Sequence, residues 1–357
     1  MLKYAMIRPI YQEYTSVPNQ KKEYKMFFEK NDSHNELIKK QILLEFGTAI
    51  SCIALGEGTE NKNFLINDTI VLRVLFIDKN SLLYHVARSY IEREITFANV
   101  LCQSKVNPLT YKCFKNKDSL LEIPTDEGNF YLLQYDFIPG SFLTYTKKNM
   151  QQFAQMMGKC HEIAHQISEK TSIPYLPVYD GLPSSLHYRS FVFDDRITQS
   201  IAHYAFYWQI FQENTRLIND YRSQNPNILI HCDLHAKNIL LTNDTIAIID
   251  FGDTRLSLIE EDIGTCFWGM ALEMTTVETF KKRIYDFFSA YPKRLNNIKK
   301  TYCLRFTLQR FLDIHLFYLK ENLSTTSKLK YQTQKFSNEK PIIDFLIASI
   351  DQSLVDN

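Results

Sequence analysis

The sequence predicts an α+β, bilobal fold: a small lobe of antiparallel β-sheet with one helix, then a large, mainly helical lobe. Three observations carry this. Two pairs of apolar strand-like runs, each pair joined by a turn, flank one helical pattern within the first 135 residues. Pro139-Gly140 then ends the strand pattern. Beyond it, apolar residues recur at helical spacing through most of the remaining chain.

Composition bounds the function. The 357 residues carry 41 basic and 40 acidic side chains, a formal net charge of +1. Such balance argues against nucleic acid held by bulk electrostatics. Hydrophobic residues make up 45%, enough to offset chain entropy, so disorder throughout is excluded. No apolar run approaches the ~18 residues of a membrane span, and Met1-Leu2-Lys3-Tyr4 opens no apolar leader block. The seven cysteines form no CxxC pair, which reads as reduced thiols and a cytoplasmic setting. The oligomeric state is not legible.

Along the chain, residues 1 to about 47 are polar and mixed, with a helix-like stretch from Asn35 to Leu44. Two of only ten glycines follow in Leu55-Gly56-Glu57-Gly58-Thr59-Glu60-Asn61. Phe64-Leu65-Ile66 and Ile70 to Leu75 then read as strands joined by Asn67-Asp68, residues that tolerate the left-handed backbone of a tight hairpin. A helix is expected over 81 to 102. A second hairpin is expected from Leu120–Ile123 and Phe130–Gln134. In the large lobe, Phe153, Met156, Met157, Cys160, Ile163, Ala164 and Ile167 mark one buried helix face. Helices are also expected over 198 to 222, over most of 267 to 322, and from Ile342 to Leu354.

The chemistry lies in Ile228-Leu229-Ile230-His231-Cys232-Asp233-Leu234-His235-Ala236-Lys237-Asn238 and Ile246-Ala247-Ile248-Ile249-Asp250-Phe251-Gly252-Asp253. A buried strand delivers a polar loop with Asp233 and Asn238. A short hairpin then returns the chain to Asp250. Phosphoryl transfer needs this set. Mg²⁺ wants hard oxygen ligands, which Asn238 and Asp250 supply. A second carboxylate, Asp233, is available to orient an acceptor hydroxyl, and a loose transition state asks for little more than positioning. The bland alternative is that Asp233 and Asn238 merely cap a turn. Asp253 reads as a further ligand or a cap, and His231 and His161 as structural histidines.

These two motifs resemble the catalytic loop and DFG segment of protein-kinase-like enzymes. The form His-Cys-Asp-Leu-His-Ala-Lys-Asn, with His235, looks more like the aminoglycoside phosphotransferase and choline/homoserine kinase-like family than like protein kinases. The resemblance covers about residues 50 to 270 and implies a protein-kinase-like fold. It implies that Gly56, Gly58 and Arg73 hold nucleotide phosphates, with Lys62 as an alternative cation and Glu94 pairing with Arg73. It further implies that backbone groups of Gln134, Tyr135 and Phe137 meet the base, followed by the family's Pro139-Gly140. Arg73 departs from the lysine of many members; its fork still reaches phosphates. Three regions follow: 1–47 as an extension on or before the small lobe, 48–135 as the nucleotide-binding lobe, and 136–357 as the lobe with catalytic loop and substrate helices.

The implied activity moves the γ-phosphate of ATP (or GTP), with Mg²⁺, to a hydroxyl of a small molecule, with an amine-bearing antibiotic or metabolite among the candidates. Nucleic acid and membrane are not expected as partners. A protein kinase for Ser/Thr and a nucleotide-binding pseudokinase stay open as alternatives; no Ala-Pro-Glu follows Asp250, only Ala271-Leu272-Glu273. Asp194, Asp195, Glu260, Glu261, Asp262 and Glu273 are acids that an amine could meet, although Asp262 resembles a family position that caps a helix start. The basic residues from Lys281 to Arg310 read as a solvated helical face. Tyr207 and Trp208 could stack on a ligand, or fill the core.

Overall fold

The computed structural model describes residues 33–47, 51–57, 61–81, 84–170, 204–243, 245–274, 276–295, 298–322 and 326–353. Two compact units result: one runs to Ser141 and takes in Leu240–Ala247, the other comprises Phe142–Ile239 and the chain from Ile248 on.

The first unit is built on a five-stranded antiparallel sheet of order β1-β2-β3-β5-β4. Its strands are β1 (Cys52–Glu57), β2 (Asn61–Ile66), β3 (Ile70–Asp78), β4 (Leu121–Pro124) and β5 (Gly128–Asp136). The expected β2–β3 hairpin forms, with Ile66 opposite Ile70. Asn67 and Asp68 take φ of +49° and +56°, the left-handed pair that a two-residue hairpin of matching twist requires. Gly128 starts β5 because a Cβ there would lie 2.2 Å from the Ile77 carbonyl oxygen.

Side chains alternate across the sheet. Phe64, Ile66, Leu72, Val74, Phe130 and Leu132 bury one face against Ile38 and Ile42 of helix α1 (Ser33–Phe46). Part of the N-terminal stretch therefore completes the core of this unit. Arg73 falls between Leu72 and Val74 and so projects from the other face. There it meets α2 (Ala87–Gln103), which buries Ile91, Glu94, Ile95, Ala98 and Leu101.

The short strand β6 (Ser141–Phe142) lies at the unit boundary, and the second unit carries the helices α3 (Lys147–Lys170), α4 (Tyr204–Gln224), α5 (Ile259–Ala271), α6 (Val277–Ala290), α7 (Lys300–Asn322) and α8 (Thr326–Ser353). The expected apolar face of α3 is buried, with Phe153, Met157 and Ala164 fully inside. Asn214 of α4 donates from its amide to the Arg305 carbonyl on α7 at 2.9 Å. Helices α5 and α7 approach closely at Gly264, where a Cβ would sit 2.5 Å from Phe306 Cβ and 2.8 Å from the Cys303 carbonyl oxygen.

One boundary differs markedly from expectation. The last helix starts at Thr326, not near Ile342, and runs through Pro341. Its polar first half is anchored by Phe336, buried to 6% exposure beside Tyr207 of α4 and His315 of α7, so packing extends the helix where local sequence alone would not. Tyr207 is thus a core residue. No described helix is long and apolar enough to cross a membrane.

Candidate active site

Strand β7 (Ile228–Ile230) is wholly buried and pairs antiparallel with β10 (Arg255–Ser257), Ile230 opposite Arg255. The chain leaves β7 into a loop closed on itself. The Asn238 amide nitrogen donates to the Asp233 carbonyl at 2.9 Å and to Asp233 Oδ2 at 2.8 Å. That commits the amide nitrogen and leaves Asn238 Oδ1 as its available acceptor. A hairpin of β8 (Ile239–Leu241) and β9 (Ile246–Ile248) then brings the chain back, and the Ile249 N–H donates to the Asn238 carbonyl at 3.0 Å. Asp250 follows at once, left-handed with φ +59°, and its side chain is exposed. Asp233, Asn238 and Asp250 therefore stand on one pair of adjoining loops, as the motif spacing implied.

The loop is braced from beneath. His231, fully desolvated, donates Nε2–H to the Ile249 carbonyl at 3.1 Å and accepts the Asp233 N–H on Nδ1 at 3.3 Å. Accepting on Nδ1 wants the neutral ring, and burial lowers its pKa in the same sense. The ring also packs on Phe251, centroids 4.7 Å apart. Asp262 of α5 accepts the N–H groups of His231 at 3.3 Å and Cys232 at 2.7 Å. His161 of α3 donates to the same carboxylate at 3.0 Å and accepts from the Tyr291 hydroxyl at 2.6 Å. His161 and His231 are structural, as expected.

Asp262 is not a helix cap: α5 is capped at Leu258 without a side-chain hydrogen bond. Its neighbours are equally committed. Glu260 accepts from the Tyr221 hydroxyl at 2.8 Å. Glu261 accepts from Arg222 at 2.6 Å and also meets Arg255 and Ser257. None of these three acids faces an incoming amine; all are buried and spent on the fold. Glu273 is exposed, although burial of its carboxyl still raises its pKa. Asp194 and Asp195 lie outside the described residues.

Asp233 is subject to opposed influences. Burial pushes its carboxyl up, but His235, Arg310 and His231 outweigh that and hold it below its ordinary value. Asp253 goes the other way: burial, then Asp233 and Asp250, raise it to about 6 against the pull of Arg310 and Arg255. Arg310 is the residue that sequence reasoning missed. Its guanidinium lies 3.6 Å from Asp233 Oδ1 and 5.2 Å over the Trp268 ring. It ends a basic run whose composition reads as a solvated face, and no local signal marks it off from the other cations there.

In the first unit, Arg73 and Glu94 form the expected pair, N···O 2.5 Å, at 4% and 1% side-chain exposure. The Tyr111 hydroxyl also donates to Glu94. Lys62 is exposed on β2. Gly56 lies in β1; Gly58 lies outside the described residues. At the end of β5, the Gln134 side chain donates to the Cys113 carbonyl at 2.7 Å, and its own carbonyl accepts from the Lys112 N–H at 2.8 Å. Tyr135 stands opposite Val71, and the Phe137 N–H is taken by the Thr69 carbonyl at 2.7 Å.

A sequence model of the phosphotransferase enzyme family (APH) matches residues 51–294. No curated protein sequence matches the chain. Among solved structures, it is similar to amicoumacin kinase hAmiN in complex with AMP-PNP, Ca²⁺ and Ami, with 17% identity, TM-score 0.64, and coverage of 87% of this chain and 94% of that one. It is similar to a microcompartment-associated aminopropanol kinase, with 15% identity, TM-score 0.64, and coverage of 88% and 98%. It is also similar to choline kinase from Cryptosporidium parvum Iowa II, with 14% identity, TM-score 0.51, and coverage of 88% and 99%. The fold shared with these kinases is protein-kinase-like: an antiparallel sheet region, then a helical region.

Proposed function

Because the chain belongs to the phosphotransferase enzyme family, we propose that it moves the γ-phosphoryl group of ATP (or GTP) to a hydroxyl of a small molecule. The observation that carries this is the closed loop in which Asn238 bonds both to Asp233 and, through its carbonyl, to the residue before Asp250. Two hard oxygen donors, Asn238 Oδ1 and the Asp250 carboxylate, suit Mg²⁺, which takes few protein ligands and completes its shell with phosphate and water. When bound, Mg²⁺ would neutralise charge on the nucleotide phosphates.

The chain's own residues do the rest. Arg73 supplies a fixed cation for nucleotide phosphates. Glu94, itself bonded by Tyr111, holds it from behind, and Gly56 leaves room for close backbone approach. At the β5 end, the carbonyl of Gln134 accepts from Lys112 and offers its second lone pair to a base, whereas the Phe137 N–H is already used. Asp233 orients the acceptor hydroxyl for in-line attack and takes its proton late, because the loose transition state leaves that oxygen nearly neutral until bond formation is advanced. The acceptor class we favour is an amine-bearing alcohol; the similar kinases named for amicoumacin, aminopropanol and choline motivate the panel.

ADP release is measured with Mg²⁺ and ATP, or GDP release with GTP, across amino alcohols, amino sugars, hydroxy amino acids and peptide-like antibiotics. One or more acceptors should raise turnover well above the rate without acceptor. Asp233→Ala should lower it by orders of magnitude with nucleotide affinity kept, and Asp250→Ala should weaken metal-dependent nucleotide binding. A chain that binds neither nucleotide, or turnover untouched by Asp233→Ala, rejects the assignment.

A further inference from the structure

The cation nearest the loop acid comes from α7, far along the chain. A guanidinium nitrogen of Arg310 lies 3.6 Å from Asp233 Oδ1, with the Arg310 side chain 29% exposed. The planar group is supported by the face of Trp268 on α5. Asp253 faces it favourably and Arg255 unfavourably. The other oxygen of Asp233 accepts from Asn238 at 2.8 Å, with His235 Nε2 at 3.5 Å. The two carboxylate oxygens are thus addressed by donors on different elements. A carboxylate offers about four lone-pair directions, so those on Oδ1 remain for a hydroxyl. At 3.6 Å the guanidinium is just beyond direct hydrogen-bond reach. It orients Oδ1 by attraction without claiming the lone pair.

We propose that Arg310 is a positioning residue for phosphoryl transfer, holding the Asp233 carboxylate through Oδ1 in the orientation that receives the acceptor hydroxyl. The inference rests on the phosphotransferase reading above. In that step the acceptor oxygen bonds the γ-phosphorus and the bond from that phosphorus to the β–γ bridging oxygen breaks. The acceptor proton passes to Asp233 and from there to solvent. Arg310 touches neither the nucleotide nor the reacting atoms; its effect runs through one carboxylate oxygen.

The test compares wild type, Arg310→Gln, Arg310→Lys, Asp233→Asn and the double variant Asp233→Asn/Arg310→Gln in the full chain, with the best acceptor of the panel. Arg310→Gln should lower kcat about 10- to 100-fold with nucleotide KM within twofold, and Arg310→Lys should recover part of the loss. In the Asp233→Asn background, removing Arg310 should cost nothing further, because groups that act as a unit are non-additive. A merely structural role would instead multiply with Asp233→Asn. Arg310→Met keeps the apolar stem on Trp268 and is run in parallel, so a folding failure of one variant does not decide the outcome. Full kcat in either neutral variant, or multiplicative losses, overturns the role of Arg310 while the kinase reading stands. A wild-type chain that consumes no nucleotide with any acceptor sinks both.

Discussion

The carboxylate of Asp262 accepts the backbone N–H of Cys232 at 2.7 Å. A buried acid on α5 thereby fixes the peptide that precedes Asp233, and the bond from the His231 N–H shares the same carboxylate.

Asp262→Asn removes the charge that two loop amides and His161 share. Charge-assisted bonds of this kind are worth about 1.5–3 kcal/mol each, so the unfolding midpoint should fall by several degrees. Turnover should drop at least tenfold, while nucleotide affinity, for which Arg73 is proposed, should stay within about twofold. Thermal unfolding and steady-state kinetics on the same preparation check this. Unchanged kcat would mean that the loop holds its shape without α5.

Glu261 sets an acid limit. Burial raises its carboxyl, but Arg222, Arg255 and the Ser257 hydroxyl more than reverse this and bring it from 4.5 to about 2. A depressed carboxyl contributes stability that is complete above its unfolded value and is lost as pH falls through the folded one. Between pH 4.5 and 2 the protein should therefore lose roughly 3 kcal/mol from this group alone. Glu261→Gln should be less stable at pH 7 and show a flatter stability profile over that range. Denaturant titrations at stepped pH measure it; parallel profiles for the two proteins would refute the linkage.

Cys232 sits at φ +64°, a conformation that costs an L-residue about 1–2 kcal/mol. Cys232→Gly removes that strain and gives up only a small buried side chain, so its melting temperature should stay within a degree or two of wild type. Cys232→Val adds a branched Cβ at the same φ and should melt several degrees lower. Equal melting temperatures for the two variants would contradict strain at this position.

Much of the site was legible because its signals are local. Asn67-Asp68 dictates a hairpin within a four-residue window, and the loop from Asp233 to Asn238 closes over five. The acids at 260–262 and the cation at 310 were misjudged because their partners are remote. Asp262 meets residues 30 and 31 positions back, and Arg310 meets an aspartate across the helical unit. Local composition describes a cluster of acids or bases equally well whether it faces water or a buried loop. Polar sequence likewise hid the first half of α8, which packing on Phe336 stabilises.

The Arg73–Glu94 pair allows stability to be separated from the nucleotide role proposed for Arg73. Removing only the cation leaves a buried carboxylate uncompensated, at a cost of about 3–5 kcal/mol. Arg73→Met should therefore melt well below wild type, while Arg73→Met/Glu94→Leu should regain most of the loss. Neither should recover nucleotide affinity. Calorimetric titration with Mg-ATP and thermal unfolding make the comparison, and tight binding by the double variant would remove Arg73 from the phosphate site.

Gly264 gives the helical unit a fixed internal gauge. With a bare Cα against Phe306 and the Cys303 carbonyl, the gap between α5 and α7 is set by covalent backbone dimensions and not by the rotamer of any side chain. The carboxylate of Asp262 hangs from one rod of that gauge and the guanidinium of Arg310 from the other. Their span is accordingly machined into the scaffold, and even one added methyl group at 264 would be transmitted along rigid helices to both.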